Sequence, residues 1–395
     1  MKLSPMTLSR RSALLGLPTA VSLGRASLAL ADAPTDRRFV VVILRGAMDG
    51  LAAVVPYGDP ALAGLRPELV PPGPGQEGGL LDLGGFFGLH PALTALHAMF
   101  AAGELMPVHA VAGPYRSRSH FEAQDMLESG ADQRMTSGWL NRAVAAIPGQ
   151  MPGMALSVGV GTPLLLRGSV PVGAYAPQSF NRPQADLYAR LMALHSADPV
   201  TGPAFRQGLA ERGFTTAQLA GTEAPRDRYA FPALAAAAGR LLLAPDGPRV
   251  AALEVGGWDT HQGQPGRMVG PLRQLDEGLD ALRTALGTAW KQTVVMTMTE
   301  FGRTVRSNGT RGTDHGTGSV ALVAGGAVAG GRVGGDWPGL GAGRLFENRD
   351  LQPTTDLRAL AKGLLAAQFG LSPAALSGVF PGGDQVAATA RLLRA

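Results

Sequence analysis

The segment Thr293–Gly318, TVVMTMTEFGRTVRSNGTRGTDHGTG, is the strongest indicator of the fold. It opens with β-branched residues and methionines that run to Glu300, and a loop rich in glycine, arginine and threonine then leads to Asp314 and His315. Short apolar runs bounded by glycine-rich turns are typical of buried strands in a parallel sheet. Because ligands bind beyond the carboxyl ends of such strands, Glu300, Asp314 and His315 are candidate metal ligands.

Two other apolar runs end in residues of the same kind. Residues 38–45, RFVVVILR, precede Asp49, which is either a carboxylate of the site or a turn residue that caps the next helix. Residues 248–256 precede Asp259 and His261. Side chains two residues apart in an extended chain project to the same side, so this pair could enter one metal site. The alternative is a turn with a surface histidine.

The segment RSRSHFEAQ, residues 116–124, is predicted to join a strand to a helix. Ser119, or alternatively Ser117, would lie at the helix N-cap, where backbone N–H groups and the helix dipole favour an anion. A hydroxyl there can act as a nucleophile. Ser119 followed by Glu122 is also an ordinary capping box, which leaves a purely structural role open. The arginines that could bind the oxyanion of a substrate are Arg45, Arg116, Arg118 and Arg303.

Strand-like apolar runs alternate with helical patterns along most of the chain, and short strands are expected at residues 154–158 and 163–166. Residues 181–243 are helical in pattern and contain no strand signal. We therefore expect one α/β domain, residues 32–395, with an open, mostly parallel sheet flanked by helices and a helical insertion at about 181–243.

Composition excludes several classes of protein. The 395 residues include no cysteine, so disulfides, cysteine nucleophiles and cysteine-based metal sites are absent. The formal net charge is +5, of which residues 1–31 contribute four, leaving about +1 for the remainder. That remainder has no basic run with interleaved aromatic residues, so nucleic acid is not an expected partner.

The amino terminus has the pattern of an export signal. Residues 9–15, SRRSALL, resemble a twin-arginine motif, and an apolar stretch then leads to Ala29-Leu30-Ala31, an A-x-A cleavage pattern. Arg25 makes the stretch too short and too polar to span a bilayer. We expect residues 1–31 to be a signal peptide and the mature chain to be periplasmic or secreted, without a membrane span. The alternative is a disordered basic terminus.

The motifs together resemble a known family. LRGAMDGL, SRSHFEAQD, TSGWLNR, GGWDTH, TEFGRT and GTDHGTG are similar to those of the bacterial secreted proteins catalogued as domain of unknown function 1501, over nearly the whole mature chain. The resemblance implies an alkaline phosphatase-like fold, shared with sulfatases and cofactor-independent phosphoglycerate mutases.

The resemblance also implies roles for individual residues. Ser119 corresponds to the helix-start nucleophile, and Phe301 stands where the superfamily has a metal-binding histidine. The implied metal ligands are Asp49, Asp259, His261, Glu300, Asp314 and His315. The implied cofactor is a divalent ion at one or two sites, Mg²⁺, Mn²⁺, Ca²⁺ or Zn²⁺, and the many carboxylates favour the first three.

Two functions follow as hypotheses. The first is an exported metal-dependent hydrolase of phosphate or sulfate esters, on small molecules or polymers, with Ser119 as nucleophile and Arg118 or Arg303 on the oxyanion. The second is a non-catalytic binding or assembly protein that retains the fold with a degenerate metal site.

Overall fold

The computed structural model describes residues 35–151, 153–176, 185–195, 198, 201–219 and 230–394. The predicted signal peptide, residues 1–31, lies outside the described residues, as do parts of the predicted helical insertion. Within the part that is described, no helix is both long enough and apolar enough to cross a bilayer.

The main sheet is mixed but mostly parallel, as predicted. The strands of the described residues are β1 (Arg38–Leu44), β2 (Val54–Val55), β3 (Leu81–Asp82), β4 (Gly88–Leu89), β5 (Leu105–Ala112), β6 (Ala155–Val158), β7 (Gly173–Tyr175), β8 (Val250–Val255), β9 (Thr293–Met298), β10 (Ser319–Ala324) and β11 (Thr355–Asp356). Eight of them form the main sheet, in the order β11-β5-β10-β9-β1-β8-β6-β7. Only β10 runs antiparallel to its neighbours in this part of the chain, and β2, β4 and β3 form a second, small antiparallel sheet.

Helices cover both faces of this sheet. The α-helices of the described residues are α1 (Gly50–Ala53), α2 (Leu62–Leu65), α3 (Thr94–Ala101), α4 (His120–Ser129), α5 (Trp139–Ala146), α6 (Ala185–His195), α7 (Thr201–Gln218), α8 (Phe231–Leu243), α9 (Gln264–Arg267), α10 (Val269–Leu286), α11 (Leu357–Phe369) and α12 (Pro373–Val379). Short 3₁₀ helices lie at Pro67–Leu69, Leu164–Leu166 and Gly287–Gln292.

The central strand β1 is apolar throughout because it is buried on both faces. Val40 and Val42 pack in one core with α8 and α10, whereas Val41 and Ile43 pack in the other with α5, α11 and α12. Each fully buried aliphatic side chain of this kind contributes about 1.5–3 kcal/mol. The continuous apolar run of the sequence is thus the signature of a strand between two helical layers.

The segment predicted as a helical insertion contains α6, α7 and α8. Of these, α8 packs on α10 within the core beside the sheet. Gly278 of α10 permits this close approach, since a Cβ there would lie 2.2 Å from the Phe231 ring.

The strand predicted at residues 163–166 is wrong. Leu164–Leu166 form a 3₁₀ turn, in which the Leu166 N–H donates to the Pro163 carbonyl oxygen at 3.1 Å. The turn also lets the Leu165 N–H donate to Glu128 Oε2 at 2.9 Å. The side chains of Leu165 and Leu166 are buried. Burial against neighbouring helices therefore explains the apolar run.

The sheet register brings the segments with polar residues to one edge. Leu44 of β1 pairs with Val255 of β8, and Ile43 pairs with Met298 of β9, so these three strands end together. Because β10 is antiparallel, its first residue, Ser319, lies at this same edge and pairs with Val111 near the end of β5.

Candidate metal centre

Four side chains from three segments converge at this edge. His120 at the start of α4, Asp259 after β8 and His315 before β10 each offer one ligand atom, and these atoms lie within 4.8 Å of one another. His261 joins them, because its Nε2 is 3.0 Å from His315 Nε2 and 3.0 Å from Asp259 Oδ1. We call these four side chains the convergent group.

The hydrogen bonds of the histidines define which ring nitrogen carries the proton. His120 Nδ1 lies 2.8 Å from Glu300 Oε1, and His261 Nδ1 lies 3.3 Å from Asp314 Oδ1. His315 Nδ1 lies 3.0 Å from the backbone carbonyl oxygen of Arg118. Carbonyl and carboxylate oxygens only accept hydrogen bonds, so each Nδ1 is the donor. In the neutral rings, each Nε2 therefore presents a lone pair to the convergent group.

These lone pairs face one another. His315 Nε2 is 3.0 Å from both His120 Nε2 and His261 Nε2, and 3.3 Å from Asp259 Oδ1. Such electron-rich atoms repel unless a cation or proton lies between them. A tetrahedral ion with bonds of about 2.0–2.1 Å spaces its ligand atoms about 3.3 Å apart. The donor atoms and their spacing therefore fit a divalent metal ion.

Glu300 lies behind His120 in this arrangement. Its buried carboxylate also accepts hydrogen bonds from the Gly46 N–H at 2.9 Å and from Gln124 Nε2 at 3.1 Å. Burial acts to raise the pKa of Glu300, but the His120 hydrogen bond and the other donors hold it below its usual value. In return, the hydrogen bond to Glu300 raises the pKa of His120. Glu300 thus orients a ligand and increases its basicity, as carboxylates behind metal-binding histidines do.

His315 differs from His120 in its electrostatics. Burial lowers the pKa of His315, and the neighbouring charge of His120 lowers it further. His315 consequently stays neutral to lower pH than His120, which keeps its Nε2 available as a ligand.

Arg303 holds Asp259 in place. Its side chain is fully buried, with NH1 2.7 Å from Asp259 Oδ1 and with Nε and NH2 donating to Thr313. Burial acts to raise the pKa of Asp259, but the hydrogen bond and charge of Arg303 keep it below its usual value. Arg303 is therefore a positioning residue for a candidate ligand.

Arg118 reaches the site through its backbone. Its carbonyl oxygen takes the hydrogen bond from His315, whereas its guanidinium points to Asp350 Oδ2, 2.7 Å away, and Glu347 Oε2, 2.5 Å away. The other two candidate arginines are engaged as well. Arg45 pairs with two carboxylates, and Arg116 donates to two backbone carbonyls.

Asp49 is the helix-capping residue that the sequence allowed as the alternative to a site carboxylate. It caps α1 by accepting from the Leu51 N–H at 3.1 Å. Its other oxygen accepts from Arg66 NH1 at 2.8 Å and from Gln264 Nε2 at 2.5 Å. Both oxygens therefore have donors, and Asp49 is not part of the convergent group. Asp314 contacts the group through His261 and also accepts from Asn308 Nδ2 at 3.2 Å.

Ser119 occupies the N-cap position of α4 beside the convergent group. Within the part of the chain that the structure describes, its side chain makes no capping hydrogen bond, so the ordinary capping box is not formed. The Tyr115 hydroxyl contacts Ser117 and Ser119. The Ser119 hydroxyl is therefore not tied to the end of its own helix.

Sequence reasoning missed His120. The signal that could have found it is the helical spacing of His120 and Gln124, which places both side chains on one face of α4, towards Glu300. Phe301 contacts the same histidines, with ring centroids 4.9 Å from His120 and 5.0 Å from His315. It packs as an apolar wall beside the group.

The fold and the convergent group define an α/β protein with a candidate metal site at the edge of its main sheet. Residues 106–380, more than half of the chain, match the family described as "Protein of unknown function (DUF1501)". The chain belongs to this family, which confirms the resemblance drawn from its motifs. No curated protein matches the sequence.

Several solved structures are similar to this chain at low identity. The structure titled "Crystal structure of Ps i-CgsB" has a TM-score of 0.42 at 10% identity and covers 90% of this chain and 75% of its own. The phosphonate monoester hydrolase of Agrobacterium radiobacter has a TM-score of 0.40 at 12% identity, covering 85% and 74%. The zinc complex of the C-terminal periplasmic domain of EcEptC from Escherichia coli has a TM-score of 0.37 at 9% identity, covering 76% of each chain.

Proposed function

We propose that this protein is an exported, metal-dependent hydrolase of phosphate or sulfate esters. One observation carries the proposal: the Nε2 atoms of His120, His261 and His315 meet the Asp259 carboxylate at the sheet edge where α/β enzymes bind ligands. Each Nδ1 is held by an oxygen, which is the arrangement that prepares histidines for metal binding.

The donor set supports a zinc-like ion. Three imidazole nitrogens and one carboxylate suit Zn²⁺ and similar transition metals, whereas Mg²⁺ and Ca²⁺ prefer oxygen ligands. This differs from the carboxylate-rich set expected from the sequence, because Asp49 and Glu300 are engaged in hydrogen bonds elsewhere and His120 takes their place. A divalent ion bound there would supply Lewis acid catalysis.

The remaining roles belong to residues of the chain. Glu300 and Arg303 position His120 and Asp259. Ser119 lies at the amino end of the ten-residue helix α4, where backbone N–H groups can bind an oxyanion, and its hydroxyl is the proposed nucleophile. The substrate would be a small-molecule or polymer ester.

Export is proposed from the amino-terminal pattern. Cleavage after Ala31 would release a mature periplasmic or secreted chain that begins at Asp32. Amino-terminal sequencing of the secreted protein tests this, with a variant in which Arg10 and Arg11 are replaced by lysine as the comparison. Secretion unaffected by that variant would contradict twin-arginine export.

Metal analysis of the mature protein tests the site. We expect wild type and the control His97→Gln to retain zinc, since His97 of α3 contacts the backbone carbonyl oxygen of Asp82 in β3 and not the convergent group. His120→Gln and His315→Gln should lose it. Equal zinc content in all four proteins would overturn the site assignment. Hydrolysis of aryl phosphates and sulfates by the zinc-loaded protein, and its loss in Ser119→Ala, then tests the chemistry.

A non-catalytic binding or assembly protein is the second candidate. The packing of Phe301 against His120 and His315 favours it, because an apolar ring occupies the position where the superfamily pattern places another metal ligand. Zinc retention without turnover of any ester would support this alternative.

A further inference from the structure

We infer that the site selects ester groups carrying a single negative charge, such as sulfate monoesters and phosphate diesters, over dianionic phosphate monoesters. This inference rests on the hydrolase function proposed above and specifies its substrate class. It follows from the charges of the candidate ligands and from the partners of the arginines around them.

The convergent group would leave little positive charge for a substrate. Asp259 is the one carboxylate among its four members, and the three histidines are neutral when they bind a metal. A divalent ion held by this set, counted together with the charge of Arg303 on Asp259 and that of Glu300 on His120, would keep about one net positive charge, which matches a monoanion.

Three of the four candidate arginines do not add to this charge. Arg303 is already included in this net charge, and Arg118 is paired with both Asp350 and Glu347. Arg45 is paired with Glu128 and Glu254. Among the described residues, Arg116 is the one of the four whose hydrogen bonds go to carbonyls alone.

Carboxylates near the site disfavour a second negative charge. The side chains of Asp314 and Glu347 are 52% and 56% exposed, so both face solvent at this edge. A phosphate monoester carries about −1.5 to −2 charges at pH 7 and would meet this negative rim with Arg116 as the one candidate arginine, among the described residues, that no carboxylate engages. A sulfate monoester or a phosphate diester offers the same kinds of oxygen as the phosphate monoester but carries only one negative charge.

Glu347 provides the means to test this selectivity. It pairs with Arg118 NH2 at 2.5 Å, while Arg118 stays anchored on the fully buried Asp350. Glu347→Gln therefore removes one compensating charge and leaves the guanidinium in place. The matched control is Glu77→Gln, an exposed glutamate without a charged partner among the residues described.

The experiment uses the full mature chain loaded with zinc. We expect wild type to hydrolyse p-nitrophenyl sulfate or bis(p-nitrophenyl) phosphate with a kcat/KM at least about tenfold above that for p-nitrophenyl phosphate. Glu347→Gln should reduce this preference several-fold, and Glu77→Gln should leave it unchanged. Preference of the wild type for the phosphate monoester, or an equal effect of Glu347→Gln on all three esters, would overturn the inference.

A binding measurement separates this inference from the proposed function. Calorimetric titration with methanesulfonate, a monoanion, and with sulfate, a dianion, requires no turnover. Glu347→Gln should tighten sulfate binding several-fold more than methanesulfonate binding. If no ester is hydrolysed but this shift occurs, the hydrolase function fails and the charge selectivity stands; the absence of the shift overturns the selectivity itself.

Discussion

Replacing Glu300 with glutamine removes the charge behind His120 while keeping an oxygen of similar position. Glu300 Oε1 accepts a hydrogen bond from His120 Nδ1 at 2.8 Å. The Glu300 side chain is fully buried, so solvent does not screen this contact. Loss of a carboxylate behind a metal-binding histidine reduces metal affinity by roughly 10- to 100-fold, or about 1.4–2.7 kcal/mol. We expect a weakening of this size for zinc in Glu300→Gln.

The same substitution has a second effect that does not require metal. The hydrogen bond to Glu300 raises the pKa of His120, so the neutral glutamine should lower it. Titration of the imidazole resonances of the metal-free protein by NMR measures this pKa. The direction of the pKa shift is informative, because a substitution that only loosened the site would alter metal affinity without lowering the pKa of His120.

Zinc affinity is measured by competition with a chromophoric chelator, with Glu77→Gln as the control. Glu300→Gln with the affinity and the His120 pKa of the wild type would refute the assignment of Glu300 as the orienting carboxylate. Complete loss of zinc together with an unfolded circular dichroism spectrum would instead identify Glu300 as essential for folding, which also contradicts the positioning role.

Three further predictions concern the surrounding fold. Arg66→Met leaves the fully buried Asp49 without its ion-pair partner, and we expect a loss of about 3–5 kcal/mol in the unfolding free energy from urea titration. Burial lowers the pKa of His109 to about 4, so the unfolded chain binds a proton below its ordinary value of 6.5 while the folded chain does not. Stability should fall from pH 6.5 towards 4 by up to about 3 kcal/mol, and His109→Gln should reduce that dependence. Gly302→Ala should destabilise by about 1–3 kcal/mol in thermal unfolding, because its Cβ would lie 1.9 Å from the Gly318 carbonyl oxygen.

The strands of the main sheet could be predicted because their signal is local. β1 and β9 are continuous apolar runs between glycine-rich turns, and burial on both faces requires that pattern. The same pattern misled at Leu164–Leu166, where the leucines are buried by neighbouring helices and not by sheet pairing. Apolar runs thus report burial reliably and strand pairing less so.

The ligands were harder to predict because their partners are distant in sequence. Asp49 is bound by Arg66, 17 residues away, and by Gln264, 215 residues away, and neither contact has a local signature. His120 depends on Glu300, 180 residues away. Sequence places a carboxylate at a strand end, but only the tertiary structure decides whether its oxygens bind protein donors or face an open site.

The antiparallel strand β10 is what completes the convergent group. His315 precedes β10, so in a parallel strand it would lie at the amino edge of the sheet, away from Asp259 and His261. A strand of six residues spans about 20 Å, which is too far for a side chain to bridge. Because β10 pairs antiparallel with β9 and β5, its amino end lies beside the carboxyl ends of its neighbours. The loop from Glu300 to His315 can therefore remain at one edge, and it brings an orienting carboxylate and a candidate ligand to the same site.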